Sequence, residues 1–185
     1  MAIEFRPALT EDIPHLTQLI PESVQALSAG YYTPQQIASA LVYIFGVDTQ
    51  LIADGTYYTA LSGGEIVGCG GWSKRKTLFG GDQMKGAEDN LLDPAQDAAR
   101  IRAFFVRPGW ARQGIGRRII HLCEQAACRD GFRSMELVAT LPGEPLYAAL
   151  GYAVVKRFEV AMPDGETLPV AQMVKSLARL TGGCL

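Results

Sequence analysis

The chain has 185 residues, of which 48% are hydrophobic, and its formal net charge at pH 7 is -2. This length and composition suffice for one apolar core, so we expect a single domain over residues 1–185. The near-neutral charge and the lack of a long basic run argue against nucleic acid as a partner. No apolar run approaches the roughly 20 residues of a membrane span, and the first residues lack a signal-peptide pattern. We therefore expect no membrane partner.

The cysteines give no evidence for a metal site. Cys69, Cys123, Cys128 and Cys184 lack zinc-ligand spacing, and the chain has only two histidines. Cys123 lies on an apolar helix face and Cys69 in a predicted strand, which favours buried free thiols. The sequence therefore predicts no metal, and a reducing cytoplasm is the default location.

The N-terminal part is predicted to form one strand and two helices. Residues 3–7 alternate and end at a proline, which is typical of an edge strand. Thr10 is the predicted cap of a helix that Pro21 interrupts. The second helix has a stronger start signal, because Thr33 and Gln36 are spaced as a capping box.

The next part alternates between strand patterns and turns. Strands are predicted over residues 51–53, 56–61 and 65–73. Glycines within the third segment indicate either close approach of a backbone or ligand, or a bulged edge strand, and both readings stay open. They stand at positions 68, 70 and 71. Residues 74–99 form a connection of unusual length, which predicts a mobile insertion loop that could close over a substrate.

A phosphate-binding turn is predicted between a strand over residues 101–106 and a helix that begins at Ile115. This helix starts without a side-chain cap, so its first amides have no partner and lie at the positive end of its dipole. Gly114 and Gly116 allow a phosphate to approach those amides. Nearby arginines at 112, 117 and 118 add positive charge. A Walker loop is absent, and Ile119 occupies the position of the third glycine in a Rossmann fingerprint.

The C-terminal part continues with a strand, a short helix and two more strands. Gly131 is the predicted stop of the long helix, and residues 135–140 form a strand parallel to 101–106. A short helix from Pro145 to Gly151 follows. Residues 152–160 and 170–174 are predicted to pair antiparallel, and the tail at 181–185 is expected to fray.

Two segments resemble motifs of the GNAT acetyltransferases. Residues 112–116 are similar to the acyl-CoA signature Arg/Gln-x-x-Gly-x-Gly/Ala, which follows a strand in that family. Residues 146–152 resemble the family's later Tyr-x-x-x-Gly-Phe/Tyr pattern, at the appropriate distance. The resemblance implies an α+β fold with a mixed, mostly antiparallel sheet of about six or seven strands. In that fold the fourth and fifth strands splay apart and helices flank the sheet. A homodimer through the C-terminal strands would suit the family.

The resemblance also implies acetyl-CoA as co-substrate and a primary amine, on a small molecule or a peptide, as acceptor. Tyr147 would protonate the leaving thiolate as general acid. The residues implied to bind acetyl-CoA are Phe104, Phe105, Val106, Arg112, Gln113, Gly114, Ile115, Gly116, Arg117, Arg118, Thr140 and Tyr147.

The general base is not assigned. The strand at 101–106 lacks the carboxylate that many relatives use, and Asp48, Asp97 and Glu144 are the candidates elsewhere. The missing base leaves open a non-catalytic acyl-CoA-binding module. A nucleotide-dependent oxidoreductase is weakened by the missing third glycine.

Overall fold

A single sheet organises the computed structural model, which describes residues 2–86 and 89–177. Within those residues seven strands pair in the order β1-β2-β3-β4-β5-β7-β6, and only the β4–β5 pair is parallel. The mixed, mostly antiparallel sheet expected from the sequence is therefore confirmed. The strands are β1 (Glu4–Pro7), β2 (Tyr57–Ser62), β3 (Glu65–Ser73), β4 (Ala99–Val106), β5 (Ser134–Thr140), β6 (Ala153–Ala161) and β7 (Thr167–Ser176).

Helices cover both faces of the sheet. The helix α4 packs on β2, β3 and β4, whereas α1 packs on the opposite face of β3 and β4. A third apolar cluster joins α2 to β6 and β7. None of the described helices has the length and apolar character needed to span a bilayer. The helices are α1 (Ile13–Ser28), α2 (Pro34–Tyr43), α3 (Thr49–Ala53), α4 (Ile115–Arg129) and α5 (Glu144–Ala149).

The start and the continuity of α1 differ from the sequence-based prediction. Residues Thr10–Asp12 form a short 3-10 turn, and no side-chain cap from Thr10 is present. Pro21 lies inside α1 and does not interrupt it. A proline removes one intrahelical hydrogen bond, but the buried side chains of Ile20 and Val24 hold the helix on the sheet on both sides of it.

The prediction of a strand over residues 51–53 is wrong, because these residues belong to α3. The Asp48 carboxylate accepts a hydrogen bond from the amide of Leu51 at 3.3 Å and thereby caps this short helix. The capping box of α2 is confirmed. The Thr33 hydroxyl accepts from the Gln36 amide at 3.1 Å, and the Gln36 side chain accepts from the Thr33 amide at 3.0 Å.

The glycines of β3 are explained by close packing in a central strand. This strand pairs with β2 and β4, so the edge-strand reading is wrong. A Cβ atom at Gly70 would lie 2.7 Å from the Phe104 ring, and one at Gly68 would lie 2.7 Å from Ile115. The pairing with β4 shifts register opposite Ala103, whose φ angle is 56°. The bulge and the glycines together bring the Phe104 ring against the surface of β3.

The strands β4 and β5 separate after a short stretch of pairing. Only Ala99 with Met135 and Arg100 with Glu136 are in register. Beyond these pairs β4 continues to Val106 without a partner on its β5 side, while β5 pairs with β7 throughout. The expected splay between the fourth and fifth strands is therefore present.

The long connection between β3 and β4 is described except at residues 87 and 88. Arg75 forms an isolated bridge with Leu91, and its guanidinium binds the Asp54 carboxylate at 2.7 and 2.8 Å. A short helical turn spans Asp82–Met84. The mobility of this connection stays a prediction.

The remaining C-terminal predictions fit with small changes. Left-handed Gly131 and Gly151 follow α4 and α5, as predicted for helix stops. α5 begins at Glu144, one residue before the predicted first position. Strand β7 lies between β5 and β6, so β6 forms the sheet edge, and a dimer through these strands stays a prediction. The tail at 181–185 lies outside the described residues.

The prediction of buried free thiols is confirmed for two cysteines. Cys69 and Cys123 are free and buried, and burial raises the pKa of the Cys69 thiol to about 12. Cys128 has an interaction partner, and Cys184 lies outside the described residues.

Candidate active site

A cleft of about 660 Å³ opens where β4 and β5 separate. One wall contains Phe104 and Val106 of β4, and the other contains Val138 and Thr140 of β5. The side chains around the cleft come from the apolar cluster beneath α4 and from the one between α2 and β7, while Ala103 and Phe105 pack against the cluster beneath α1. The cleft therefore has two ends that different parts of the core form.

The predicted phosphate-binding turn forms the first end of the cleft. Gly114 is the N-cap of α4, with a φ angle of 84° and no side-chain cap. The amide of Arg118 donates to the Gly114 carbonyl at 2.9 Å, so the amides of residues 115, 116 and 117 precede the first intrahelical bond. Apart from the adjoining residues and the backbone of the helix itself, no described residue has an atom within 4 Å of the position that a Cβ at Gly114 would take. An anion can therefore approach these amides directly.

Most of the residues predicted to bind acetyl-CoA meet at this cleft. Gln113 and Arg118 are the two exceptions, since neither side chain lines it. Gln113 donates to the Gly109 carbonyl at 3.1 Å, and Arg118 is exposed. Those that do line it are Phe104, Phe105, Val106, Arg112, Gly114, Ile115, Gly116, Arg117, Thr140 and Tyr147.

On the open edge of β4, one backbone amide already donates a hydrogen bond to a hydroxyl group. The amide of Arg107 donates to Val67 on β3 at 2.9 Å. Successive amides of a strand point to opposite edges, so the Val106 amide points away from β3, and the Phe105 amide points toward it. The Val106 amide donates to the hydroxyl oxygen of Ser23 in α1 at 3.2 Å. Ser23 was not found from the sequence, because no motif or spacing distinguishes it.

Tyr147 lies at the base of the cleft and is 8% exposed. Its ring packs edge-on against Phe104 at 6.3 Å and against Tyr152 at 5.9 Å between ring centroids. Burial raises the pKa of the Tyr147 phenol, so this group keeps its proton at neutral pH. Tyr147 therefore lines the cleft as a protonated phenol.

A comparison with protein families shows which family the chain belongs to. Residues 23–152 match the family described as "Acetyltransferase (GNAT) family". This chain belongs to the GNAT family. No curated protein matches the chain.

Solved structures with the same fold resemble this GNAT protein along almost its whole length. The GCN5-related N-acetyltransferase (aminotransferase, class-II) from Rhodopseudomonas palustris is 24% identical with a TM-score of 0.69, over 96% of this chain and 97% of the other. PaiA N-acetyltransferase from Thermoplasma acidophilum, in complex with coenzyme A, is 14% identical with a TM-score of 0.64, over 95% and 99%. YncA from Salmonella typhimurium, with its cofactor acetyl-CoA, is 16% identical with a TM-score of 0.64, over 98% and 97%. At these identities the similarity establishes the fold.

A buried network of charges lies beside the second end of the cleft in this GNAT protein. Arg102 is 3% exposed, and its guanidinium is 2.8 Å from the fully buried carboxylate of Asp48. Lys85 also binds Asp48 and contacts Asp82 at 2.9 Å. Arg102 donates to the carbonyl of Gly80 at 2.6 Å. This network neutralises its own charges and fixes the chain around Gly80.

None of the three candidate bases lines the cleft in the part of the chain that is described. Asp48 is engaged by the two cations of the buried network. Glu144 forms a two-bond ion pair with Arg157 at 2.6 and 2.9 Å, which lowers the pKa of its carboxyl. Asp97 accepts a hydrogen bond from the Asp93 amide at 2.7 Å. The geometry therefore gives no support to a carboxylate base among these residues.

Proposed function

We propose that this GNAT protein transfers the acetyl group of acetyl-CoA to a primary amine, by direct attack within a ternary complex. One observation carries the proposal. The uncapped start of α4 and the unpaired edge of β4 open into the same cleft, and Tyr147 lines that cleft too. An anion site beside an open strand edge suits a co-substrate that joins a pyrophosphate to an amide-containing arm.

The pyrophosphate is assigned to the start of α4. The amides of Ile115, Gly116 and Arg117 are available, and the positive end of the helix dipole adds to their attraction. Arg112 and Arg117 line the cleft at this end and contribute two positive charges. The adjacent Gly114 leaves open space in front of the amides.

The pantetheine arm and its thioester are assigned to the open edge of β4. A carbonyl of this arm would replace the Ser23 hydroxyl as the acceptor for the Val106 amide. A backbone donor held rigidly in a strand needs no reorganisation when it binds a carbonyl. The thioester then lies near Tyr147, which faces Phe104 of the same strand.

The proposed reaction forms one bond and breaks one bond. The unprotonated amine attacks the thioester carbonyl carbon, the new C–N bond forms, and the C–S bond breaks. Tyr147 gives its proton to the leaving thiolate and regains one from the tetrahedral nitrogen or from water. The acceptor ammonium loses its first proton to water, because no carboxylate or imidazole is present among the described residues that line the cleft.

The lack of a carboxylate or imidazole among the described residues that line the cleft favours a second candidate function, a non-catalytic acyl-CoA-binding module. Such a module would keep the anion site and the open strand edge but would lack turnover. Isothermal titration calorimetry with acetyl-CoA, with NADH and ATP as controls, tests the binding that both functions share. We expect acetyl-CoA alone to bind, and absence of binding would refute both. Release of free CoA thiol with a panel of primary amines then identifies the enzyme, whereas binding without thiol release identifies the module.

A further inference from the structure

The second end of the cleft is formed by apolar side chains from four separate parts of the chain. They come from the segment after α2, the connection before β4, and the two C-terminal strands. We refer to this region as the apolar end, and its residues are Ile44, Phe45, Phe79, Val160, Leu168 and Val170. All belong to, or pack against, the third apolar cluster. The apolar end is therefore a part of this cluster that borders the cleft.

The apolar end offers no counterion for a bound charge. No acidic residue occurs among the described residues that line the cleft. Arg102 also lines the cleft and donates to the carbonyl of Gly80 next to Phe79, and the Asp48 carboxylate neutralises its charge at 2.8 Å. A carboxylate ligand would have to compete with Asp48, which the Leu51 amide and Lys85 also hold in place. A second ammonium group would meet Arg102, and no described residue that lines the cleft has a carboxylate to pair with it.

From this chemistry we infer that the acceptor is a monoamine whose amino group is attached to an uncharged, apolar body. The inference rests on the proposed acetyl transfer and names the substrate class for it. The apolar body occupies the apolar end, and the amine nitrogen points toward the open edge of β4. Amines with a second positive charge and amines with a carboxylate are poor acceptors.

The position of the apolar end relative to β4 supports this orientation. The Phe45 ring packs edge-on against Phe105 of β4, with 6.1 Å between their centroids. Phe79 packs against Phe158 of β6 at 6.4 Å. The buried network holds the chain beside Phe79, because Arg102 donates to the carbonyls of Thr77 and Gly80. A molecule seated among these rings therefore reaches β4 with the end that faces Phe105.

Three amines with six carbons each test the inference. Hexylamine, 1,6-diaminohexane and 6-aminohexanoate are unbranched and differ at the far end, which is a methyl, an ammonium or a carboxylate group. We expect kcat/KM for hexylamine to exceed those for the diamine and the amino acid by about tenfold or more, since an unpaired charge in an apolar site is strongly disfavoured. Shortening the alkyl amine should lower kcat/KM by about fourfold per methylene, the effect of losing one buried methylene.

A charge placed in the apolar end should reverse the preference. Phe79→Asp should lower kcat/KM for hexylamine and raise the ratio of diamine to hexylamine by about tenfold or more. Phe79→Leu controls for the loss of the ring and should leave that ratio unchanged. Val155→Asp adds the same charge at a position on β6 that is 55% exposed, and it should leave both rates unchanged.

The outcomes separate this inference from the proposed function. Failure to bind acetyl-CoA would overturn both. Binding of acetyl-CoA with preferred turnover of the diamine or the amino acid would overturn the inference and leave the transferase in place. Binding without turnover of any of the three amines would also overturn it, because an apolar monoamine would then not be an acceptor. An unchanged ratio in Phe79→Asp would show that the acceptor body lies elsewhere.

Discussion

The hydroxyl oxygen of Ser23 lies 3.2 Å from the amide nitrogen of Val106 and accepts its hydrogen bond. This contact joins α1 to the open edge of β4. Ser23 is 3% exposed, so the bond is sheltered from water. In the proposed function, a carbonyl of acetyl-CoA must displace this hydroxyl. The free protein thus satisfies an amide that its co-substrate later uses.

Replacing Ser23 with alanine should tighten acetyl-CoA binding and destabilise the free protein. Loss of the hydroxyl leaves the part-buried Val106 amide without its protein acceptor until the proposed co-substrate supplies one. We expect the free energy of unfolding to fall by about 1–2 kcal/mol and the Kd for acetyl-CoA to fall by about three- to tenfold. Urea unfolding and calorimetry measure the two effects.

Ser39→Ala is the matched control. Ser39 is also buried and donates a hydrogen bond of 2.8 Å to Asp164, but it does not line the cleft. It should lose stability while its acetyl-CoA affinity stays unchanged. Weaker acetyl-CoA binding by Ser23→Ala would contradict the displacement.

A negative charge at Gly114 should block the anion site. Gly114 has a left-handed φ angle, which aspartate and asparagine tolerate better than other side chains. Gly114→Asp places a carboxylate at the amides proposed to bind pyrophosphate, and we expect the Kd for acetyl-CoA to rise by about 100-fold or more. Gly114→Asn has nearly the same shape without the charge and should raise Kd by less than about tenfold. Equal Kd values for the two variants would argue against a phosphate at this helix start.

The ion pair of Asp48 and Arg102 should matter for stability mainly when one partner is lost. Asp48→Ala leaves the buried Arg102 without its carboxylate, while Lys85 keeps Asp82, and we expect it to cost about 3–5 kcal/mol in the free energy of unfolding. The double variant Asp48→Leu with Arg102→Met removes both members of the pair and should lose less. Urea unfolding of Asp48→Leu, Arg102→Met and the double variant gives the coupling energy.

The exposed pair of Arg157 and Glu144 provides the control for that cycle. Water and salt screen these charges, so Arg157→Ala should leave the unfolding midpoint unchanged. A similar loss of stability at both sites would mean that burial does not determine the effect.

Tyr147→Phe should lower kcat while leaving the affinity for acetyl-CoA within about twofold. Removal of a positioned proton donor costs about 100-fold or more when proton transfer is needed in the transition state. Burial raises the pKa of Tyr147, so the wild-type rate should show no fall below about pH 10 from loss of this proton. Steady-state rates from pH 6 to 10 measure kcat of Tyr147→Phe and the pH dependence of the wild-type rate. Unchanged kcat in Tyr147→Phe would exclude it as the acid.

The raised pKa of Tyr147 also predicts the direction in which the free energy of unfolding changes at high pH. The pKa of Tyr147 in the folded protein is above its value in the unfolded chain, which is about 10. The unfolded chain therefore loses its proton first as pH rises. The stabilisation is complete below about pH 10 and is lost progressively above it. Tyr147→Phe should reduce the slope of unfolding free energy against pH in that range.

The sequence predicted features whose determinants are close together along the chain. The glycines around Ile115 lie within the helix start that they shape, and Tyr147 follows a recognisable local pattern. The three apolar residues at 51–53 were misassigned because so short a run fits both helix and strand periods. Pro21 is a local helix breaker, yet burial by distant β3 and β4 overrides it.

Contacts between distant segments left no signal in the sequence. Ser23 meets Val106 across 83 positions of the chain. Asp48 is a plausible base on its own, and only the fold brings it to Arg102 and Lys85. The apolar end likewise combines Phe79 with Val170, which no periodicity connects.

The position of β7 between β5 and β6 has a consequence for biosynthesis. Strand β5 forms one wall of the cleft, and its neighbour β7 is the last strand to leave the ribosome among those described. Until residues 167–176 emerge, β5 exposes an unpaired edge, and β6 has no strand to pair with. A nascent chain in this state is open to contact with chaperones or with another nascent chain. The half of the cleft proposed to bind the amine therefore forms at a late step of translation, after the part proposed to hold the phosphates has already been made.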